Sequence, residues 1–264
     1  MAPLNILVVG DVVGSPGRDT LKRCLPLARE QHHVHLCIAN GENAAGGFGL
    51  TVATAEELYG CGVDVITSGN HIWDKRELRS YLEESDRVVR PANYPPGTPG
   101  HGYTTIDVDG SRVGILNLMG RVFMPVADDP FRVGREAVDE LRAITPIIVV
   151  DMHAEATSEK MAIARFFDGQ VSVVYGTHTH VQTADEQVFS GGTAYLSDVG
   201  MTGPTDGVIG MEAAGVIDRF TNAFAERFNV EKGGMKQFCA AVVSVDRTTG
   251  KALDIKRIFL RGIA

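Results

Sequence analysis

The order of apolar segments predicts an α/β fold in which two mixed β-sheets form a sandwich with helices outside. Three observations predict it. The first half of the chain alternates short apolar runs with helical segments, which implies parallel strands joined by helices. The second half adds a hairpin and two closing strand segments, which one doubly wound sheet does not accommodate. Several of the apolar runs stop at a cluster of Gly, Asp, Asn, Glu or His.

Residues 6–9 (ILVV) read as a buried strand ending at Gly10-Asp11. A helix is expected within 18–30, with Leu21, Leu25 and Ala28 on one stripe and Pro26 marking a kink or an early stop. A second strand over 34–39 ends at Asn40-Gly41-Glu42-Asn43, a helix follows over 52–60, and a strand over 63–67 runs into Ser68-Gly69-Asn70-His71. Asp74, with Glu77 three residues on, reads as a capping box for the next helix. The Pro- and Gly-rich stretch 91–101 is a loop, and 103–109 with 112–118 form a hairpin turning at Asp109-Gly110. A helix within 132–143 leads to strand 147–150, which stops at Asp151-Met152-His153. Ser158 reads as the cap of a helix through Phe167. Strand 171–175 ends before Gly176-Thr177-His178-Thr179-His180. Residues 193–197, an amphipathic segment over 212–228 and strands over 238–245 and 253–259 complete the chain.

A length of 264 residues supports one large domain, and no clean linker interrupts it, so a single domain over 1–264 is expected; the loop 91–101 is the only tempting boundary. Lys and Arg number 25 against 33 Asp and Glu, for a net charge of -8, which disfavours a large basic surface for polymeric nucleic acid or anionic lipid. A small phosphorylated substrate stays compatible, because a metal centre supplies positive charge that the count omits. No apolar run approaches the roughly 18 residues of a membrane span, and Met1-Ala2-Pro3-Leu4-Asn5 is no basic leader. A cytoplasmic location is the expectation. Cys24, Cys37, Cys61 and Cys239 are scattered without a Cys-x-x-Cys pair and read as small buried side chains.

The chemistry gathers after the strands. Asp11, Glu42, Asn43, Asn70, His153, His178 and His180 each follow an apolar run, and ligand sites of open α/β sheets lie beyond the C-terminal strand ends. Imidazole nitrogen with carboxylate oxygen suits iron, manganese, zinc and related ions. A carboxylate shared by two ions is the natural bridge, and Glu42 is the choice for it; such a pair would hold a hydroxide aimed at phosphorus. Each residue has an ordinary alternative: Asp11 as a cap or turn former, Asn43 as a turn residue, Glu42 as a loop acid, His178 and His180 as surface histidines. The pattern repeated after so many strands favours the metal reading. His32, His33 and His35 read as helix termination and partial burial, and His101 lacks supporting neighbours. The turn from Gly10 to Arg18 either cradles phosphate with backbone N–H groups or is a simple turn; it lacks the nucleotide P-loop pattern.

The ordered set Gly10-Asp11-Val12-Val13-Gly14, Asn40-Gly41-Glu42-Asn43, Gly69-Asn70-His71, Asp151-Met152-His153-Ala154-Glu155 and Gly176-Thr177-His178-Thr179-His180 resembles the calcineurin-like metallophosphoesterases, in particular their YmdB-like bacterial branch. The wider superfamily carries Asp-x-His first; here Val13 stands where that histidine would be. The resemblance implies a four-layer α/β/β/α sandwich and a dinuclear site. By it Asp11, Asn43 and His180 serve the first metal, Asn70, His153 and His178 the second, and Glu42 bridges. The missing first histidine shifts the expected metals towards iron or manganese, with zinc or magnesium as alternatives.

The likeness further implies hydrolysis of 2′,3′-cyclic nucleotides to 3′-phosphates. His71 is expected to contact phosphate or to protonate the leaving oxygen. Asp151 and Glu155 are expected to orient ligands, and Arg18 and Arg121 to contact phosphate; ordinary caps, ion pairs or solvated arginines are the alternatives. Two other functions fit the same residues: a phosphomonoesterase or nuclease, and a regulatory nucleotide-binding protein whose turnover is incidental. The partner expected is a small phosphodiester or cyclic nucleotide, with neither a membrane nor a long nucleic-acid interface. A homo-oligomer is compatible, since the apolar residues of 212–228 either cover the core or form an interface.

Overall fold

The computed structural model describes residues 2–222 and 228–263. The first apolar run forms β1 (Leu4–Val9), and β2 (Asp11–Val12) follows after one glycine. α1 (Gly14–Gln31) runs through Pro26 instead of stopping there. Pro26 lies on the exposed side of the helix, where water can take the carbonyl that its missing N–H frees. β3 (Leu36–Asn40) is followed by α2 (Val52–Gly60), which begins at a reciprocal Thr51–Thr54 capping box. After β4 (Val65–Thr67), α3 (Leu78–Glu84) starts later than expected. The Asp74 capping box does not form, because the Asp74 carboxylate is engaged by the His71 ring instead.

β5 (Val88–Val89) precedes the hairpin of β6 (Tyr103–Val108) and β7 (Ser111–Met119). Asp109 and Gly110 both take positive φ there, 47° and 77°, as a two-residue hairpin turn demands. α4 (Pro130–Arg142) is capped by Asp129, which accepts from the Phe131 N–H at 2.8 Å, with proline in the first turn. β8 (Ile147–His153) extends three residues past the expected 147–150, so His153 closes the strand rather than following it. α5 (Thr157–Phe166) begins after Ala156 without a side-chain cap; Ser158 is inside the helix and does not cap it. Next come β9 (Val173–Thr177), β10 (Gln187–Val188), β11 (Ala194–Leu196) and β12 (Met201–Pro204). Of the segment expected over 212–228, α6 (Ala213–Thr221) is helical, and residues 223–227 lie outside the described residues. β13 (Lys236–Val245) and β14 (Ala252–Ile263) close the chain.

The strands form two mixed sheets. The eight-stranded sheet runs β2-β12-β13-β1-β3-β4-β5, with β14 on the free side of β13; the six-stranded sheet runs β10-β11-β9-β8-β7-β6. β1, β3, β4 and β5 pair in parallel, as do β7, β8, β9 and β11, while β13 is antiparallel to both β1 and β14.

Alternation along the strands builds the layers. In β13, Phe238, Ala240 and Val242 face α1, α2 and α3, while Ala241, Val243 and Val245 face the second sheet. β1 divides likewise, with Leu7 and Val9 towards the helices and Ile6 and Val8 between the sheets. α4 and α5 cover the outer face of the second sheet through Val138, Leu141, Ile163 and Phe167. The order is therefore helices, sheet, sheet, helices, the four-layer α/β/β/α arrangement expected. The parallel strands of the two sheets end at one edge of the sandwich, and that edge carries the polar clusters. None of the described helices is long and apolar enough to cross a membrane.

Candidate metal centre

Seven side chains that are distant in sequence meet at that edge. Asp11 comes from β2, Glu42 and Asn43 from the turn after β3, and Asn70 from the turn after β4. His153 is the last residue of β8, and His178 and His180 follow β9. The side chains of Asp11, Glu42, Asn43, His153 and His180 are buried. His178 and His180 take φ of 95° and 65°, a region that non-glycine residues rarely adopt and that clusters at functional sites.

The hydrogen bonds fix which atoms carry free electron pairs. Thr177 donates its only hydroxyl proton to Asp151 Oδ1 at 2.7 Å, so at 2.9 Å it must accept from His153 Nδ1–H. The lone pair of neutral His153 then sits on Nε2. That nitrogen faces two oxygens, Asn70 Oδ1 at 3.0 Å and Glu42 Oε1 at 3.2 Å. His180 is oriented the same way: Nδ1 donates to the Ile209 carbonyl at 2.9 Å, which leaves Nε2 towards Asp11 Oδ1 at 3.7 Å and the Asn43 amide at 3.2 Å. Asp11 Oδ2 accepts the His178 N–H at 3.1 Å, but the buried Oδ1 has no hydrogen-bond partner among the described residues. A buried carboxylate oxygen without a donor, and a ring nitrogen facing two other acceptors, call for a cation.

Charge at the site agrees. Burial acts against ionised Glu42, but His153 and the His71 N–H outweigh it and hold Glu42 at about 2. Burial likewise opposes the His153 imidazolium, and the Glu42 carboxylate overcomes it, raising His153 to about 9. A proton and a metal ion thus satisfy the same converging lone pairs. His178, desolvated and beside His153 at a ring separation of 4.8 Å, is pushed down to about 3 and is a neutral imidazole. The ligand atoms of Glu42, His153 and His178 all lie within 4.8 Å of one another, the spacing of a metal-binding site.

Beneath His153 lies a polar floor that sequence reasoning largely missed. Asp151 accepts from Thr67, Thr177 and Asn40, and burial pushes its carboxyl up to about 7 against the pull of His153. Asp151 therefore orients His153 through Thr177, as expected of it. Asn40 Oδ1 also receives the Glu42 N–H at 3.0 Å. Thr67 and Thr177 could have been found only as the last polar residue of an otherwise apolar strand.

Gly69 has a steric role. A β-carbon there would lie 2.2 Å from His153 Nε2, within the space that the imidazole occupies. Gly69→Ala is expected to displace His153, with metal affinity falling at least about tenfold and turnover with it. Titration of metal-stripped protein measures this; unchanged affinity would show that the imidazole position is immaterial.

Other expectations divide. Glu155 Oε2 is 3.2 Å from His178 Nε2, so it reaches that ring as expected. Arg18 does not face the site: its guanidinium is paired with Glu57 and donates to the Ala44 carbonyl, which ties α1 to the neighbouring turn. Arg121 is exposed and lies 3.6 Å from Asp129. The segment from Gly10 to Arg18 is strand β2 and the start of α1; Asp11 and Val12 pair with Met201 and Thr202. His32 ends α1, and His35 accepts the Asn5 N–H, so both are structural. All four cysteines are free thiols, with Cys24, Cys37 and Cys239 buried.

His71 fixes the rim. Its N–H donates to Glu42 Oε2 at 2.9 Å, its Nδ1 lies 2.9 Å from Asp74 Oδ2, and its ring is edge-on to Phe48 at 5.0 Å. Glu42, Asn43, His71, His178 and His180 line a cavity of about 570 Å³, within the range of small-molecule sites.

A four-layer sandwich with an acid–imidazole cluster at the C-terminal ends of its parallel strands is a metal-dependent phosphoesterase. The chain belongs to the YmdB-like protein family, whose model matches residues 7–258. It is 47% identical to the 2′,3′-cyclic-nucleotide 2′-phosphodiesterase of Bacillus subtilis (strain 168), with 97% of each chain covered. A hypothetical protein of Thermus thermophilus, solved by crystallography, superposes with a TM-score of 0.91 at 40% identity, covering 98% of this chain and 100% of that one. A crystal structure described as a novel phosphatase from Mycoplasma pneumoniae superposes at 0.93 with 33% identity, covering 99% and 95%.

Proposed function

We propose that the chain hydrolyses 2′,3′-cyclic nucleotides to 3′-phosphates at a two-metal centre. The position of Glu42 carries this reading. Its Oε1 lies 3.2 Å from His153 Nε2 on one side and 3.3 Å from Asn43 Nδ2 on the other, so one carboxylate stands between two groups of ligands. Asp11, Asn43 and His180 would hold one ion, Asn70, His153 and His178 the second, and Glu42 both. Oxygen donors mixed with imidazoles suit iron or manganese first, with zinc or magnesium as the other fits. When bound, such ions supply an activated water and neutralise charge on phosphoryl oxygens. The similarity to the Bacillus subtilis enzyme supports the cyclic-nucleotide substrate.

The chain's own residues handle the leaving group. The oxygen of the attacking water bonds to phosphorus as one of its protons passes to solvent, the P–O2′ bond breaks, and its electron pair passes to O2′, which takes up a proton. His71 is the donor: its backbone is tied to Glu42, its Nδ1 is engaged by Asp74, and Nε2 is left for substrate. The Asp74 carboxylate holds the ring by Nδ1, which turns Nε2 towards the leaving oxygen.

Metal analysis of protein purified without added metal, paired with 2′,3′-cyclic AMP, a dinucleotide and a phosphomonoester as substrates, tests this reading. Two ions per chain and the highest kcat/KM for the cyclic nucleotide are expected; preference for the monoester rejects the substrate assignment. His71→Ala should retain the metal and lower kcat by about 10²–10⁴-fold, the contribution typical of a positioned acid. Unchanged turnover at neutral pH would remove His71 from catalysis.

A further inference from the structure

The ligand cluster supplies only part of the lining of the 570 Å³ cavity. Much of the rest is apolar: Phe48, Val208, Met211, Val216, Phe228 and the Arg219–Phe220 pair. Resting on the cyclic-nucleotide reading above, we propose that this apolar half is a nucleobase subsite that holds the base by its faces and does not choose among bases by hydrogen bonding.

Three observations carry it. First, the two halves are continuous: Phe48 lines the apolar wall and packs edge-on against His71, so a group beside Phe48 is adjacent to the reacting phosphate. Second, α6 is turned towards the cavity. Val216 is buried in a cluster with Val13, Met201, Met211 and Val230. Arg219 and Phe220 follow it by three and four residues and so share its side of the helix. Phe220 is nonetheless 87% exposed, which leaves a large ring of the cavity lining open to a ligand. Third, Arg219 is the only arginine or lysine lining the cavity among the described residues; its guanidinium lies 4.9 Å from the centre of the Phe228 ring. A planar cation stacked on an aromatic ring at the edge of a pocket suits a planar, electron-rich heterocycle attached to an anion. Among the described residues lining the cavity, Glu155 and Thr179 are engaged by His178 and Asp198, and apart from them and the ligand cluster none brings an Asn, Gln, Asp, Glu, Ser or Thr side chain to read a base edge. Binding by stacking is tolerant of sequence because every base has a π-face.

The test compares 2′,3′-cyclic AMP with ribose 2,3-cyclic phosphate, which lacks the base, in the metal-replete parent, Phe220→Ala and Arg219→Ala. Both variants change exposed side chains, and circular dichroism checks their fold. The parent should show a lower KM for the nucleotide. Phe220→Ala should raise that KM about tenfold, in the range of one base–aromatic stack, with the sugar phosphate and both kcat values unchanged. Calorimetric binding of 3′-AMP and ribose 3-phosphate to the metal-free proteins should show the same selective loss. Cyclic AMP, GMP, CMP and UMP should differ by less than about tenfold in kcat/KM. Equal kcat/KM for nucleotide and sugar phosphate in the parent, or equal losses for both in Phe220→Ala, would overturn the subsite while leaving the phosphodiesterase reading intact. Hydrolysis of neither substrate by metal-replete protein would overturn both.

Discussion

Replacing Glu42 with Gln should give a folded protein that holds less metal and turns over cyclic nucleotide at least about 10³-fold more slowly. The substitution preserves shape and one oxygen but removes the charge. It also sets an NH₂ group against one of two donors that now point at carboxylate oxygens, the His71 N–H at 2.9 Å or the Asn43 amide at 3.3 Å. Metal-ion assistance is worth several kcal/mol at the transition state, and each 1.36 kcal/mol is a factor of ten. Elemental analysis and single-turnover kinetics, with circular dichroism as the control for folding, measure the effect. Full occupancy with parental turnover would reject Glu42 as the bridge.

Lys160→Met should lower the unfolding free energy by about 3–5 kcal/mol, a drop of roughly 10 °C in Tm for a chain of this size. Lys160 is fully buried on α5, and its Nζ lies 2.7 Å from Asp198 Oδ2, itself buried. The same oxygen accepts the Thr179 N–H at 3.1 Å and its hydroxyl at 2.6 Å, and Oδ1 accepts the Gly200 N–H at 2.7 Å. Thr179 stands between His178 and His180, both of positive φ, so the buried pair braces a turn whose conformation costs about 1–3 kcal/mol per strained residue. Gly176 leaves room for this: a β-carbon there would meet the Lys160 Cδ at 2.6 Å. Without the ammonium, Asp198 is a buried charge short of one partner. Adding Asp198→Asn to Lys160→Met removes the unpaired charge but sets an NH₂ group against either the Gly200 N–H or the Thr179 donors, so it should restore only part of the stability. Thermal unfolding of the metal-free proteins decides it; a Lys160→Met protein within about 1 kcal/mol of the parent would show that the pair is not a brace.

Much of the fold was legible because β-branched runs followed by Gly, Asp and Asn mark strand ends whatever surrounds them. α2 matched its expected bounds, 52–60, since Thr51 and Thr54 cap it locally. The failures were also local in origin. Asp74 and Ser158 sit where caps are common, but Asp74 is drawn to His71 and α5 starts one residue before Ser158. Pro26 points to a kink or an early stop in the sequence alone, because its position on the exposed face of α1, which lets the helix continue, depends on packing. Lys160 left a trace that went unread: with Ile163, Ala164 and Phe167 it lies on the apolar stripe of its helix, where a lone lysine implies a buried partner.

By itself the sequence determined the identity of the acid, amide and imidazole groups and the strand ends that carry them, because strand and turn preferences act over a few residues. Only the tertiary structure decided which of these groups face one another and which atom of each ring is free. Hydrogen bonds to Thr177 and Ile209, a steric gap at Gly69 and a buried Lys–Asp pair set those orientations, and each joins segments that local propensity cannot relate.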